Sequence, residues 1–227
     1  MDFLPKQIAE FKHHHGIAYE LFDPPPEFTS DVYYVWRLRN TGSAESFSYP
    51  ILPDTCIDLI VEEKDGLLAC PFVSRPFATV TDVELTGKFN YWGIRFRPGR
   101  IMKYLWFELQ SIETDFEYII MHNSSFVSLA DFISEFINYS PGNFDNKFLA
   151  FDYAPERLLS AKLSAKQKAR LFKQLTGFHL NTYKKVQKFQ ASVGDPYAHF
   201  YDQSHYIKTF KQLTGIKPST FHQNYSV

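Results

Sequence analysis

Cysteine is nearly absent from this chain of 227 residues, which has only Cys56 and Cys70. Neither belongs to a CxxC pair, so neither a disulfide framework nor a zinc knuckle is implied. Two free, partly buried thiols in the cytoplasm are the preferred reading, with a disulfide between them as the minor alternative. No run of 18 apolar residues occurs, and the N-terminus, MDFLPKQIAEFKHHHG, has no apolar signal core. The expectation is a soluble, cytoplasmic protein with no membrane partner. Enzyme signatures are missing too: there is no GxSxG elbow, P-loop or GxGxxG string. The dispersed His and Glu ligands of a metal-binding barrel are also lacking. His13, His14 and His15 are adjacent, and His122 is the only other histidine before Asn146. Such a run reads as an exposed helix end more readily than as a metal site. No catalytic residue, metal ligand or cofactor is therefore assigned. Arg95, Arg97 and Arg100, beside Pro98-Gly99, read as a charged strand face rather than an anion site.

Net charge is almost absent as well, at −1, but its distribution is uneven. Met1–Asn146 holds 11 Lys/Arg against 21 Asp/Glu, a net of −10, whereas Lys147–Val227 holds 13 against 4, a net of +9. A basic C-terminal third on an acidic body points to a polyanion-binding module attached to something else. Opposite signs also suggest that the acidic body docks on the basic part and restrains it. Two solvated surfaces of opposite sign are the plainer alternative.

Hydrophobic residues make up 44% and aromatics 18%, enough for a proper core. The first half reads as β-rich. In Asp31–Asn40 (DVYYVWRLRN), Val32, Tyr34, Trp36 and Leu38 alternate with Arg37 and Arg39. Cys56–Val61 (CIDLIV) is nearly continuous, as in a strand buried on both faces. Asn90–Arg97 alternates again, setting Trp92, Ile94 and Phe96 opposite Gly93, Arg95 and Arg97. Turn signals at Pro24-Pro25-Pro26, Pro53-Asp54 and Asp65-Gly66 break the runs into short antiparallel strands, hence a small barrel or sandwich. Aromatics such as Tyr34, Trp36, Trp92 and Phe96 are read first as core and second as the lining of a small-molecule pocket. From about Ile101 the spacing turns helical, with Phe126, Leu129, Phe132, Phe136 and Ile137 on one stripe. Tyr139–Asp145 is the best linker candidate.

The hexapeptide FKQLTG occurs twice, at Phe172–Gly177 and Phe210–Gly215, an offset of 38 residues. Exact repetition in so short a chain implies two copies of one supersecondary unit. Eight residues before each Phe stands a helix-capping residue, Ser164 or Asp202. Leu171, Phe172 and Leu175 in one copy, and Tyr206, Phe210 and Leu213 in the other, form apolar stripes. Gly177 and Gly215 suit the left-handed position past a helix end. Each copy therefore reads as a capped helix of about three turns. The opposite faces carry Lys166, Gln167, Arg170 and Lys173, and Gln203, Ser204, His205 and Lys208. Near a helix N-terminus, side chains of these types can reach base edges and phosphates in a major groove.

SAKQKARLFKQLTG and FYDQSHYIKTFKQLTGIKPSTF resemble the paired helix-turn-helix domain of AraC/XylS-type transcriptional regulators. ILPDTCIDLI and YWGIRFRPGR resemble the uncharacterised β-rich domain that precedes this module in one branch of the family. The resemblance spans most of the chain from about Tyr34 to Phe221. It implies an α+β fold: an N-terminal small antiparallel β-barrel or sandwich with helices, followed by a shortened all-α helix-turn-helix module. The implied organisation is a sensor or dimerisation domain at 1–115, a helical connector and linker at 116–150, and a DNA-binding module at 151–227. The implied partners are double-stranded promoter DNA, a small-molecule effector and a second copy of the chain. The family's base-facing positions carry over to Ala165, Lys166, Ala169 and Arg170, and to Gln203, Ser204, His205 and Lys208.

Departures from the family pattern cluster between the repeats. The resemblance implies an interval between the two motifs longer by roughly a dozen residues than this chain has, where the repeat offset is only 38. Phe189–Tyr201 contains Gly194 and Pro196, which suit a helix interior poorly. His199 stands at the family's turn glycine, and Lys168 stands in the apolar stripe, where burial is costly unless its ammonium finds a polar outlet. Two readings stand open. The chain is a working regulator whose second helix does more of the reading, or an eroded relative acting as a dimerisation or interaction protein or an antagonist.

Overall fold

The computed structural model describes residues 4–13, 16–42, 46–103, 116–118, 125–126, 128, 132, 155–193, 200 and 202–227. Among the described residues ten strands come first: β1 Glu10–Phe11, β2 Ile17–Phe22, β3 Val32–Asn40, β4 Ser46–Ile51, β5 Ile57–Lys64, β6 Leu67–Ser74, β7 Thr81–Thr86, β8 Phe89–Phe96, β9 Phe116–Tyr118 and β10 Ser125–Phe126. Five α-helices follow among the described residues: α1 Pro155–Ser160, α2 Ala165–Thr176, α3 Leu180–Ser192, α4 Gln203–Thr214 and α5 Pro218–Asn224; β11 Tyr225–Ser226 comes after them. The architecture is α+β, with a β-rich first part and helices after it, as the sequence implies. No helix among the described residues is long and apolar enough to cross a membrane.

A seven-stranded antiparallel sheet runs β10-β6-β5-β8-β3-β2, with β9 also on β6, and β4 pairs with β7 as a separate ribbon. Turn chemistry sets one register directly. Asp65 (φ 52°) and Gly66 (φ 77°) are both left-handed, and Lys64 pairs with Leu67 across them. This two-residue hairpin suits the right-handed twist of β5 and β6. Ile57–Val61 is buried throughout, Asp58 included, which fits its nearly continuous apolar text.

Three strand readings need correction. A register shift between Val32 and Tyr34 sets Val32 opposite Phe96 and Tyr34 opposite Arg95, so Val32 leaves the face of Tyr34, Trp36 and Leu38. Arg95 is not on a charged outer face; it is 3% exposed and lies inside. Alternation shows which residues share a face, not which face the rest of the chain will cover. The helical reading from Ile101 fails at Phe126, which pairs with Leu68 in a strand. Short apolar runs satisfy either period, and the open edge of β6 supplies the deciding hydrogen bonds. Phe132 is fully buried and donates its N–H to the Ser128 carbonyl. Leu129, Phe136, Ile137 and the linker at 139–145 lie outside the described residues.

One core unites the strands with the later helices. Ile8, Phe11, Trp36 and Tyr49 belong to the same buried cluster as Phe189, Phe210 and Phe221. Backbone bonds reinforce the contact: β1 pairs with β11, and the Val80 N–H donates to the Leu213 carbonyl at 2.7 Å. The acidic body thus meets the second helical unit through apolar packing and main-chain bonds. The first unit has its own small cluster of Leu158, Phe172 and Tyr183.

Candidate nucleic-acid interface and β-domain cavity

The two repeats fold alike down to individual hydrogen bonds. Ser164 Oγ accepts from the Gln167 N–H at 3.3 Å while Gln167 Oε1 accepts from the Ser164 N–H at 3.0 Å, a reciprocal capping box. Asp202 Oδ1 accepts from the His205 N–H at 2.7 Å. At the far ends Gly177 (φ 75°) and Gly215 (φ 78°) take the left-handed conformation and donate to the carbonyls of Lys173 and Lys211. Thr176 and Thr214 hydroxyls each donate to the carbonyl four residues back, Phe172 or Phe210, at 2.8 Å. Each also accepts the N–H two residues on, from Phe178 or Ile216. In FKQLTG, then, Phe fills a core, Thr locks the helix end and Gly turns the chain. The residues that the family resemblance offers as base-facing lie ahead of the hexapeptide.

Those residues are outward. Ala165, Lys166, Ala169 and Arg170 are exposed along α2, and Gln203, Ser204, His205 and Lys208 along α4. Each set crowds the N-terminal half of its helix, where free N–H groups and the helix dipole favour an anion. Beyond the sequence reading, Ile207, Lys211 and Gln212 join Ser204 and Lys208 around an open depression on α4. Their i, i+3, i+4 spacing was the available signal. Lys168 resolves its place in the apolar stripe by donating from Nζ to the Leu159 carbonyl at 2.7 Å, at the C-terminal end of α1. α3 stops at Ser192, just before Gly194 and Pro196, which with His199 lie outside the described residues.

A cavity of about 340 Å³ lies between the sheet and the β4–β7 ribbon. Trp36 and Tyr49 help to wall it, whereas Tyr34, Trp92 and Phe96 are not among its lining residues. Trp92 instead stacks under Arg37 at 4.7 Å. One guanidinium dominates the polar end. Arg95 makes a two-pronged contact with Asp58 (Nε–Oδ1 2.8 Å, Nη2–Oδ2 2.6 Å) and also donates to Tyr34 Oη at 2.8 Å. It pairs with Asp54 Oδ2 at 2.8 Å as well. Burial pushes Asp54 up to about 6, against the pull of Arg95, and the neighbouring Asp58 charge adds to the rise. One cation therefore serves two buried carboxylates. Cys56 is buried, with its thiol pushed up by burial, while Cys70 is exposed rather than partly buried; both are free.

The turn that carries Asp54 also holds α3. Gln190 Nε2 donates to the carbonyls of Pro53 (2.8 Å) and Lys6 (3.1 Å), and its Oε1 accepts from the Lys6 N–H at 2.7 Å. Gln187 Nε2 donates to Thr55 Oγ1 at 3.2 Å. Thr55 is left-handed at φ 64°, a conformation a β-branched residue adopts only under constraint.

Residues 20–114 match one family, described as a domain of unknown function (DUF6597). That stretch holds β3 to β8 and most of the cavity wall. No curated protein matches the chain. Among solved structures, an apo ToxT variant from Vibrio cholerae is 8% identical, with 94% of this chain and 99% of that chain covered at a TM-score of 0.38. ToxT from Vibrio cholerae O395 bound to (E)-4-(8-methylnaphthalen-1-yl)but-3-enoic acid is 10% identical, with 89% and 97% covered at a TM-score of 0.38.

Proposed function

We propose that this chain is a DNA-binding transcription regulator of the AraC/XylS type whose β-rich domain holds a small-molecule effector. The observation that carries the reading is the repetition of two helices with an N-cap side chain on the third N–H, a threonine lock and a left-handed glycine, each with an exposed polar and basic N-terminal face. In this reading α2 and α4 enter successive major grooves. Lys166, Arg170 and Lys208 meet phosphates or guanine edges, Gln203, Ser204 and His205 meet base edges, and Ala165 and Ala169 allow close approach or touch thymine methyl groups. The cavity and its Asp54–Arg95–Asp58 centre supply the effector site, and the Asp54 turn supplies the contact with α3.

Binding-site selection from random duplexes with the full-length chain tests the DNA part. The expected result is an enriched motif and an affinity that falls steeply with salt, because lysine and arginine displace condensed counterions. Recovery of no motif would refute specific reading and favour an eroded module that works through protein contacts.

A further inference from the structure

The ionisable groups around the cavity are unbalanced. Asp54, Asp58, Glu62 and Glu84 line it, and Arg95 is the single basic residue among the lining residues. That guanidinium is already engaged by both aspartates. An entering carboxylate would meet no unpaired cation and two further acids, a repulsion that low dielectric strengthens. An entering ammonium would meet the reverse.

Glu62 is the group placed to receive it. On β5 it follows Asp58 and Ile60 at every second position, so it shares their inward face, opposite Tyr91 of β8. Its side chain is half-buried, and among the described residues no hydrogen bond or ion pair engages its carboxylate. Glu63, its neighbour on the other face, is by contrast engaged at Oε2 by Arg37 and by the Trp92 N–H. Around Glu62, Tyr91 and Phe72 pack edge to face at 6.3 Å, and Phe116 meets Phe72 at 5.6 Å. Aromatic walls next to an unspent carboxylate favour a cation, because ring faces carry negative potential. The rest of the cavity, with Trp36, Leu38 and Tyr49, suits an apolar body.

We infer that the cavity binds an organic cation, an amine on an aromatic or similarly flat apolar frame, with its ammonium at Glu62 and its frame against Trp36. This rests on the reading of the cavity as an effector site given above. Calorimetric titration of the full-length chain with naphthylmethylamine, naphthylmethanol and naphthoate separates the two claims. The amine should bind about five- to ten-fold more tightly than the alcohol, and the carboxylate more weakly than either. Glu62→Gln should bring the amine down to the affinity of the alcohol and leave the alcohol unchanged. Naphthoate binding as well as the amine, or an amine advantage that survives Glu62→Gln, would overturn the cation inference while the alcohol still reports a working cavity. Binding by none of the three would overturn the effector site itself.

Discussion

Replacing Arg95 with methionine removes one cation from between two carboxylates that have nowhere to go. The side chains of Asp54 and Asp58 are 2% and 7% exposed, and the guanidinium that serves both is 4% exposed. Methionine keeps roughly the length of the side chain, so little packing is lost; what is lost is compensation. Breaking a buried pair from one side costs about 3–5 kcal/mol, a large share of the ~5–15 kcal/mol that holds a typical domain together. The cost depends on pH, with a definite sign. Burial outweighs Arg95 and already pushes Asp54 up to about 6, above the ordinary 3.8. A carboxylate raised in the folded state contributes stability below 3.8, and that stability drains away as pH rises through about 6. In the native protein this term is on the order of 2–3 kcal/mol. Without Arg95 the folded value climbs further, so the loss should be fullest near neutral pH and shrink toward pH 4. Urea unfolding, which leaves ionic strength alone, can follow Trp36 and Trp92 in the neighbouring strands β3 and β8. A loss under about 1 kcal/mol, as for an exposed ion pair, or an equal loss at both pH values, would refute the reasoning. Adding Asp54→Asn and Asp58→Asn to the methionine variant should restore most of the stability.

Other substitutions test separate parts of the argument. In Gly93→Ala the new Cβ would stand 2.0 Å from Trp36 Cε2, so the indole must swing toward the cavity. The expected cost is about 1–3 kcal/mol, with a shifted tryptophan emission; an unchanged urea midpoint would refute the contact. Phe210→Ala should cost the whole chain about 3–5 kcal/mol, since Phe210 packs on Phe189 and Phe221 in the shared core. Phe172→Ala, in the satellite cluster with Tyr183, should raise hydrogen exchange only in α1 to α3; equal loss of protection in the sheet would contradict two separate cores. Gln190→Leu should cost about 1–3 kcal/mol for the stranded partners at Lys6 and Pro53, and should abolish any effect of naphthylmethylamine on DNA affinity. Lys208→Ala should lower the slope of log affinity against log salt by about one unit, and an unchanged slope would remove Lys208 from the phosphate contacts.

Much of this was legible in the text of the chain, for identifiable reasons. Caps and stops are local chemistry, so Ser164, Asp202, Gly177 and Gly215 marked their helix ends without tertiary help. Asp65-Gly66 marked its hairpin for the same reason. Inside and outside were not local. Arg95 looked like a surface arginine because nothing nearby in sequence shows that β4 and β7 cover its face, or that Asp54 and Asp58 arrive to pair with it. Gln190 was invisible for a related reason: its partners, Lys6 and Pro53, lie more than 100 positions away. The opposite charges of the two parts were visible, yet packing, main-chain bonds and the side-chain bonds of Gln187 and Gln190 make the described contact between them.

That contact bears on how the two helical units would act together. Among the described residues the second shares the core of the β-rich part: Phe210 and Leu213 of α4 and Phe221 of α5 lie in one cluster with Trp36, which also walls the cavity. The first unit keeps its own cluster and joins the rest through α3. α3 in turn is held at Gln187 and Gln190 by the turn that presents Asp54 to the cavity. A molecule entering the cavity would thus press on two connected elements, the face of Trp36 and the turn at Asp54. Both lead to α4 and to α3 before they lead to α2. The short interval between the repeats then has a mechanical consequence: it leaves α3 as the described link between a fixed second unit and a separately packed first one. Regulation in such a molecule would work by changing how α2 is held relative to an α4 whose position the β-rich part already determines.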